Sequence, residues 1–209
     1  FGLSTCKRCL WIKYWFKVTM PGQFPLVKPL SASQEEHFHR AAMPDLDPSL
    51  APGVVKQWGQ WVKSAPIEID GKATRWRILG IYDLLAHYED GTVGIIDCKV
   101  SDSDRDNAQF YAPQLEAYAY ALENPDKGKP FPVSTMGLLV WKLAGITETL
   151  DGKHGFGVTQ HYLHVTRDQA QFKSLISDLI SVIEGDLPAA GPDCDTCNYL
   201  IKRLALESN

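Results

Sequence analysis

The chain has 209 residues, 44% of them hydrophobic and 22% charged, with a formal net charge of −4. That length supports one sizeable core, and the acidic balance argues against a protein that coats duplex DNA through a broad basic face, though a nuclease needs only a local basic rim. No apolar run approaches the roughly 18–20 residues that cross a bilayer, and the opening FGLSTCKRCL is too polar and short for a secretory signal, so an intracellular, cytoplasmic protein without a membrane partner is expected.

Residues 1–20 carry Cys6 and Cys9 and then an aromatic stretch, Trp11, Tyr14, Trp15 and Phe16, read as a short helix or extended segment. Pro21, Gly22, Pro25 and Pro29 predict a loop over 21–30. Ser33 with Glu36 three residues on forms a capping-box pattern, so a helix is expected from Ser33 to about Met43. Pro44, Pro48 and Pro52 impose a second loop. Val54, Val55, Trp58, Trp61 and Val62 recur at helical spacing, which predicts a helix over 53–64.

From Pro66 the period changes to two. Ile67 to Gly71 reads as a strand and turn, and Trp76–His87 with Thr92–Val100 as a hairpin. A long helix is expected over 107–123, apolar strands over Met136–Leu143 and Val158–Val165, and a helix after Thr166 that ends at Gly185. The order is that of an α/β fold with a central mixed β-sheet flanked by helices, in a single domain spanning 1–209. Within it, residues 1–20 and 190–209 form a cysteine-rich staple.

The chemistry is concentrated in the hairpin. A three-residue loop, Glu89-Asp90-Gly91, with Gly91 in the left-handed position, sets Tyr88 opposite Thr92. Counting back, Asp83 falls opposite Asp97, and Lys99 shares that face. A two-residue turn would put the two aspartates on opposite faces. Two carboxylates this close need a cation, and hard oxygen donors favour Mg²⁺ or Mn²⁺. Lys99 is placed to orient or deprotonate a water or to stabilise phosphate charge. A plain hairpin with surface carboxylates and a salt-bridged lysine is the ordinary reading of a bare D-x-K. Cys98, between Asp97 and Lys99, points its thiol into the core. On the next helix Gln114 and Tyr118 are four residues apart and share a face.

These motifs, G-I-Y-D at 80–83, I-I-D-C-K at 95–99 and Q-L-E-A-Y at 114–118, resemble the PD-(D/E)XK nucleases, specifically the RecB-like branch. The resemblance implies a restriction-endonuclease-like core and a Mg²⁺-dependent nuclease that hydrolyses DNA, in an exonuclease-like manner on single strands or duplex ends. Such a chain is expected to act alone or to join a larger repair, defence or mobile-element assembly. It implies Asp83, Asp97 and Lys99 as catalytic residues, joined by Gln114 and Tyr118. The metal ligands are Asp83, Asp97, the backbone carbonyl of Cys98, and an upstream side chain on the helix that begins near Ser33, for which Glu35 comes first and His39 second. The alternative is a catalytically inactive nucleic-acid-binding or assembly module on the same fold, holding a structural zinc.

Cys6 and Cys9, with Cys194 and Cys197, make two Cys-x-x-Cys pairs at opposite ends of the chain. Such pairs serve zinc and iron–sulfur sites alike. Either would close nearly the whole chain into one loop. Resemblance to AddB-type and CRISPR-associated nucleases implies a 4Fe-4S cluster. Those proteins usually combine one early and three late cysteines, so the two-and-two arrangement departs from them and keeps zinc as the alternative. Lys7 and Arg8 are expected to offset thiolate charge or meet nucleic-acid phosphate. Trp11, Tyr14 and Trp15 are expected either to pack in the core or to stack on bases.

Overall fold

The computed structural model describes residues 6–19, 26–101, 108–148 and 151–207. It divides into two compact units, Phe24–Asp168 and the pair of terminal segments Phe1–Gln23 with Gln169–Asn209.

The larger unit is built on a five-stranded sheet in the order β1 (Gly53–Lys63), β4 (Leu79–Tyr88), β5 (Val93–Ser101), β6 (Val133–Glu148) and β7 (His154–His164). Only β5 and β6 run parallel. A parallel pair needs a long crossover, and α4 (Ala108–Glu123) lies within it. The sheet is therefore mixed and carries helices, as the sequence predicts. Ile67 leads into a small hairpin of β2 (Glu68–Ile69) and β3 (Lys72–Ala73). Its turn residues, Asp70 and Gly71, both have positive φ, as a two-residue hairpin turn of this hand requires.

Leu84, Ala86, Ile96, Cys98 and Leu139 form one buried cluster with Phe38, Met43, Leu46 and Val55. The helices over that face are α2 (Val27–Phe38) and the short α3 (Met43–Leu46). Alternate residues of β5 serve the other face, toward α4.

Three predicted elements differ. Of residues 53–64, Gly53–Lys63 form β1 and not a helix. Their apolar residues are β-branched or aromatic, types that suit a strand. The register slips between Val55 and Gln57, and Gly59 takes φ +58°, so the alternation that marks a strand is broken. Helix α2 starts at Val27, not Ser33. Pro29 lies in its first turn, where a missing N–H costs nothing. The part of the expected loop over 21–25 lies outside the described residues. The loop expected after Pro44 contains α3.

In the terminal unit, α1 (Lys7–Phe16), α5 (Gln169–Glu184) and α6 (Asp195–Glu207) carry the cysteine pairs between them. Trp11 and Trp15 donate their indole N–H groups to the carbonyls of Gly185 and Ile183, both at 2.9 Å. That ties α1 to the end of α5. Arg8 donates to the Pro188 carbonyl at 3.1 Å. Among the described residues no helix is long and apolar enough to cross a membrane.

Candidate active site

The β4–β5 register runs His87↔Val93, Ala86↔Gly94, Leu85↔Ile95 and Leu84↔Ile96. Tyr88 N–H donates to Thr92 O at 3.0 Å, and Gly91 has φ +83°. This is the three-residue turn expected from Glu89-Asp90-Gly91. Continuing that register one step brings Asp83 opposite Asp97. There the ladder gives way to a side-chain contact, in which the Cys98 backbone N–H donates to Asp83 Oδ2 at 2.7 Å. The Cys98 N–H is thus engaged with the Asp83 carboxylate. The Cys98 thiol lies in the core cluster.

Asp97 is 1% exposed. Gln114 Nε2 donates to Asp97 Oδ1 at 3.0 Å and to the Tyr118 hydroxyl at 3.1 Å. Lys99 Nζ forms an ion pair with Asp97 Oδ2 and lies over the Tyr111 ring, 4.8 Å from its centroid. Asp83, Asp97, Lys99, Gln114 and Tyr118 therefore converge, and Tyr111 joins them. Tyr111, Gln114 and Tyr118 sit at i, i+3 and i+7 on α4, the spacing of one helix face, so the signal for Tyr111 was present in the sequence.

Burial and the neighbouring Asp97 push the Asp83 carboxyl from 3.8 to about 7. Burial also raises Asp97, against the pull of Lys99. Burial works to lower Lys99, but the charge of Asp97 and its contact outweigh that, so the ammonium is held above its ordinary range. The buried Asp97 and half-buried Asp83 carboxylates facing one lysine leave an excess of negative charge, which a proton or a metal ion must balance.

Of the two upstream candidates, Glu35 is brought to this group. Burial and the charge of Asp97 raise its carboxyl, while Lys99 lowers it. His39 turns to other partners: it bonds the Glu36 carbonyl, lies 3.6 Å from the Glu36 carboxylate and packs on Trp58 with ring centroids 4.9 Å apart. Two residues not singled out in the sequence lie beside Glu35. Its neighbour Gln34 is fully buried and donates to the Leu139 carbonyl of β6 at 2.8 Å, which fixes α2 against the sheet. Gly59 falls opposite Asp83 by the flanking pairs Gln60↔Tyr82 and Trp58↔Leu84. A Cβ on Gly59 would come 3.5 Å from the Glu35 carboxylate.

The glycine of the G-I-Y-D motif also has a local reason. A Cβ on Gly80 would meet Tyr118 Cε1 at 2.7 Å, so the ring lies against bare backbone there.

In the terminal unit Cys6, Cys9, Cys194 and Cys197 come together, with all four sulfurs within 4.8 Å of one another. Among the described residues this is the only group with three or more potential ligand atoms so close. Glu35, Asp83 and Asp97 as a set stand further apart. Burial opposes ionisation of Cys6, yet hydrogen bonds from the Cys9 backbone and from neighbouring thiols bring it down to about 6, whereas burial and those thiols push Cys9 up.

The family model for the PD-(D/E)XK nuclease superfamily matches residues 23–201. The chain belongs to the PD-(D/E)XK nuclease superfamily. Among solved structures it is similar to the crystal structure titled SSO0001, with a TM-score of 0.54 and 17% sequence identity, covering 96% of this chain and 82% of that one. At that identity the likeness bears on the fold alone. No curated protein matches the chain. The mixed sheet and the acidic hairpin thus lie on a PD-(D/E)XK core, a superfamily whose members are generally nucleases.

Proposed function

We propose that this PD-(D/E)XK protein is a metal-dependent nuclease of the RecB-like branch that hydrolyses DNA phosphodiester bonds, in an exonuclease-like manner on single strands or duplex ends. The observation that carries the reading is the Asp83–Asp97 pair, the first half-buried and the second buried, beside a charged Lys99, with the Asp83 carboxyl raised to about 7. A carboxylate pair with that excess of negative charge and only oxygen donors fits a hard divalent ion. Asp83, Asp97 and Glu35 would hold Mg²⁺ or Mn²⁺, which supplies Lewis-acid activation of the phosphodiester and of a water.

The chain's own residues supply the remainder. Lys99 stays protonated at neutral pH and is placed to orient the attacking water or to donate to the phosphate oxygen where negative charge develops. The Tyr111 ring covers the ammonium and keeps it on the Asp97 side. Gln114 holds one Asp97 oxygen, and Tyr118 anchors Gln114. The Q-x-x-x-Y helix beside the acidic hairpin is what supports the RecB-like assignment, and a place in a repair or defence assembly follows from that assignment alone.

The test is cleavage of labelled single- and double-stranded DNA with Mg²⁺ or Mn²⁺, with Asp97→Ala as control. Metal-dependent loss of substrate by the parent protein alone supports the reading. No cleavage of either substrate by folded protein would overturn it in favour of a nucleic-acid-binding module.

A further inference from the structure

The four thiols of the terminal unit stand closer together than an iron–sulfur cluster holds its ligands. Cys6 Sγ is 3.7 Å from Cys197 Sγ, and Cys9 Sγ is 3.7 Å from Cys194 Sγ and 3.6 Å from Cys197 Sγ. Four thiolates on one tetrahedral ion, with metal–sulfur bonds of about 2.3 Å, are separated by the tetrahedron edge, about 3.8 Å. In a 4Fe-4S cube each thiolate binds a different iron at its own corner, which spreads the cysteine sulfurs to roughly 6 Å. The largest separation in this quartet is 4.8 Å or less.

We propose that Cys6, Cys9, Cys194 and Cys197 hold a single tetrahedral zinc ion, and not the 4Fe-4S cluster that the resemblance implies. The backbone around the cage suits a centre of net negative charge. Cys6 is the N-cap of α1, where its sulfur accepts from the Cys9 N–H at 3.5 Å. Cys194 immediately precedes α6, and Cys197 is the third residue of that helix. Each pair therefore presents its sulfurs at a helix N-terminus, where unpaired N–H groups and the helix dipole favour negative charge. Zinc with four thiolates carries two net negative charges and has no open position, so its role is to fasten the chain ends.

Gly191 sets the size of the cage. A Cβ there would lie 3.1 Å from Cys6 Cβ and 3.4 Å from Cys194 Cβ. The glycine lets the segment before Cys194 press directly against Cys6. A spread set of sulfurs would have no use for that closeness.

The proposal is independent of the nuclease reading, and its readouts are metal content and spectra. The full chain is produced with both iron and zinc available, purified without oxygen, and assayed for metals, acid-labile sulfide and visible absorption. One zinc per chain, no sulfide and no band near about 400 nm is the expected result. Four irons with matching sulfide, or no bound metal, would overturn it.

A second arm removes the metal and offers ferrous iron with sulfide under anaerobic conditions. Assembly of a stable four-iron cluster that zinc does not displace sinks the proposal. Cobalt(II) loaded into the stripped parent protein is expected to give the intense visible bands of a tetrahedral thiolate site, and weak octahedral-type absorption would count against it. DNA cleavage by these preparations is scored separately, so loss of one reading leaves the other standing.

Discussion

The Cys98 backbone N–H donates to the Asp83 carboxylate across the hairpin at 2.7 Å. This bond is made one residue beyond the last ladder pair, Leu84↔Ile96. It means that Asp83 is held beside Asp97 by main chain on one side and by the sheet on the other, so the two carboxylates cannot easily move apart to relieve their repulsion.

That constraint gives a pH dependence. The folded-state value of Asp83 is raised from 3.8 to about 7, so the native state binds a proton that the unfolded chain releases. Below the unfolded value both states are protonated and nothing is lost. As pH rises toward and through the folded value, the native state is progressively destabilised. Asp83→Asn keeps an acceptor for the Cys98 N–H and removes this penalty. In EDTA the variant is expected to match the parent near pH 4 and to exceed it by about 1–3 kcal/mol at pH 8. Urea melts at the two values check this; a parent protein as stable as the variant at pH 8 counts against the raised Asp83. Added Mg²⁺ should stabilise the parent and not the variant.

Gly80→Ala is expected to act through Tyr118. The added methyl would stand 2.7 Å from the ring, too close for any real contact, so the ring and the Gln114 amide bonded to it must shift. On the proposed reading kcat falls about 10-fold or more, since small displacements of site groups are costly, with DNA affinity much less affected. An unchanged kcat would show that Tyr118 does not position the site.

Gln114→Ala leaves the buried Asp97 Oδ1 without its 3.0 Å donor. A lost hydrogen bond to a charged group is worth about 1.5–3 kcal/mol. Cleavage is expected to fall by one to two orders of magnitude while circular dichroism stays native. Gln114→Glu should be worse than alanine, because it adds a fourth carboxylate to Glu35, Asp83 and Asp97.

Glu116 tests stability apart from the site. It is 3% exposed and shares Arg167 with Glu123, at 3.2 Å for Glu116 and 2.6 and 3.0 Å for Glu123. It also accepts the Asp168 N–H at 2.7 Å. Glu116→Ala breaks a buried charged network and is expected to cost about 3–5 kcal/mol, read as a lower urea midpoint. Because Glu116 faces away from Asp97 on α4, residual folded protein should keep its specific activity.

The motifs that carry the proposed chemistry were legible because they are local. The spacing of Asp97 and Lys99, the length of the Glu89-Asp90-Gly91 turn, and the four-residue step from Gln114 to Tyr118 each translate directly into a face of a strand or helix. The register that puts Asp83 opposite Asp97 could be counted from the turn alone. The two Cys-x-x-Cys pairs could likewise be recognised as one ligand set.

Other features had no local signal. Strand β1 read as a helix because an edge strand exposed on much of both faces lacks the strict alternation that burial imposes, and Gly59 with the slip after Val55 disturbs what remains. The choice between Glu35 and His39 depended on how α2 lies on the sheet, which Gln34 fixes through a carbonyl 105 residues away in β6.

The sequence by itself determined the acidic hairpin, the helix that faces it and the identity of the four thiols, since each follows from spacing within a single element or from residue type. Only the tertiary structure decided which upstream side chain lies near Asp83 and Asp97, why Gly80 carries no side chain, and how far apart the sulfurs stand. Those are distances between segments remote in the chain, and they are set by packing, which residue spacing does not encode.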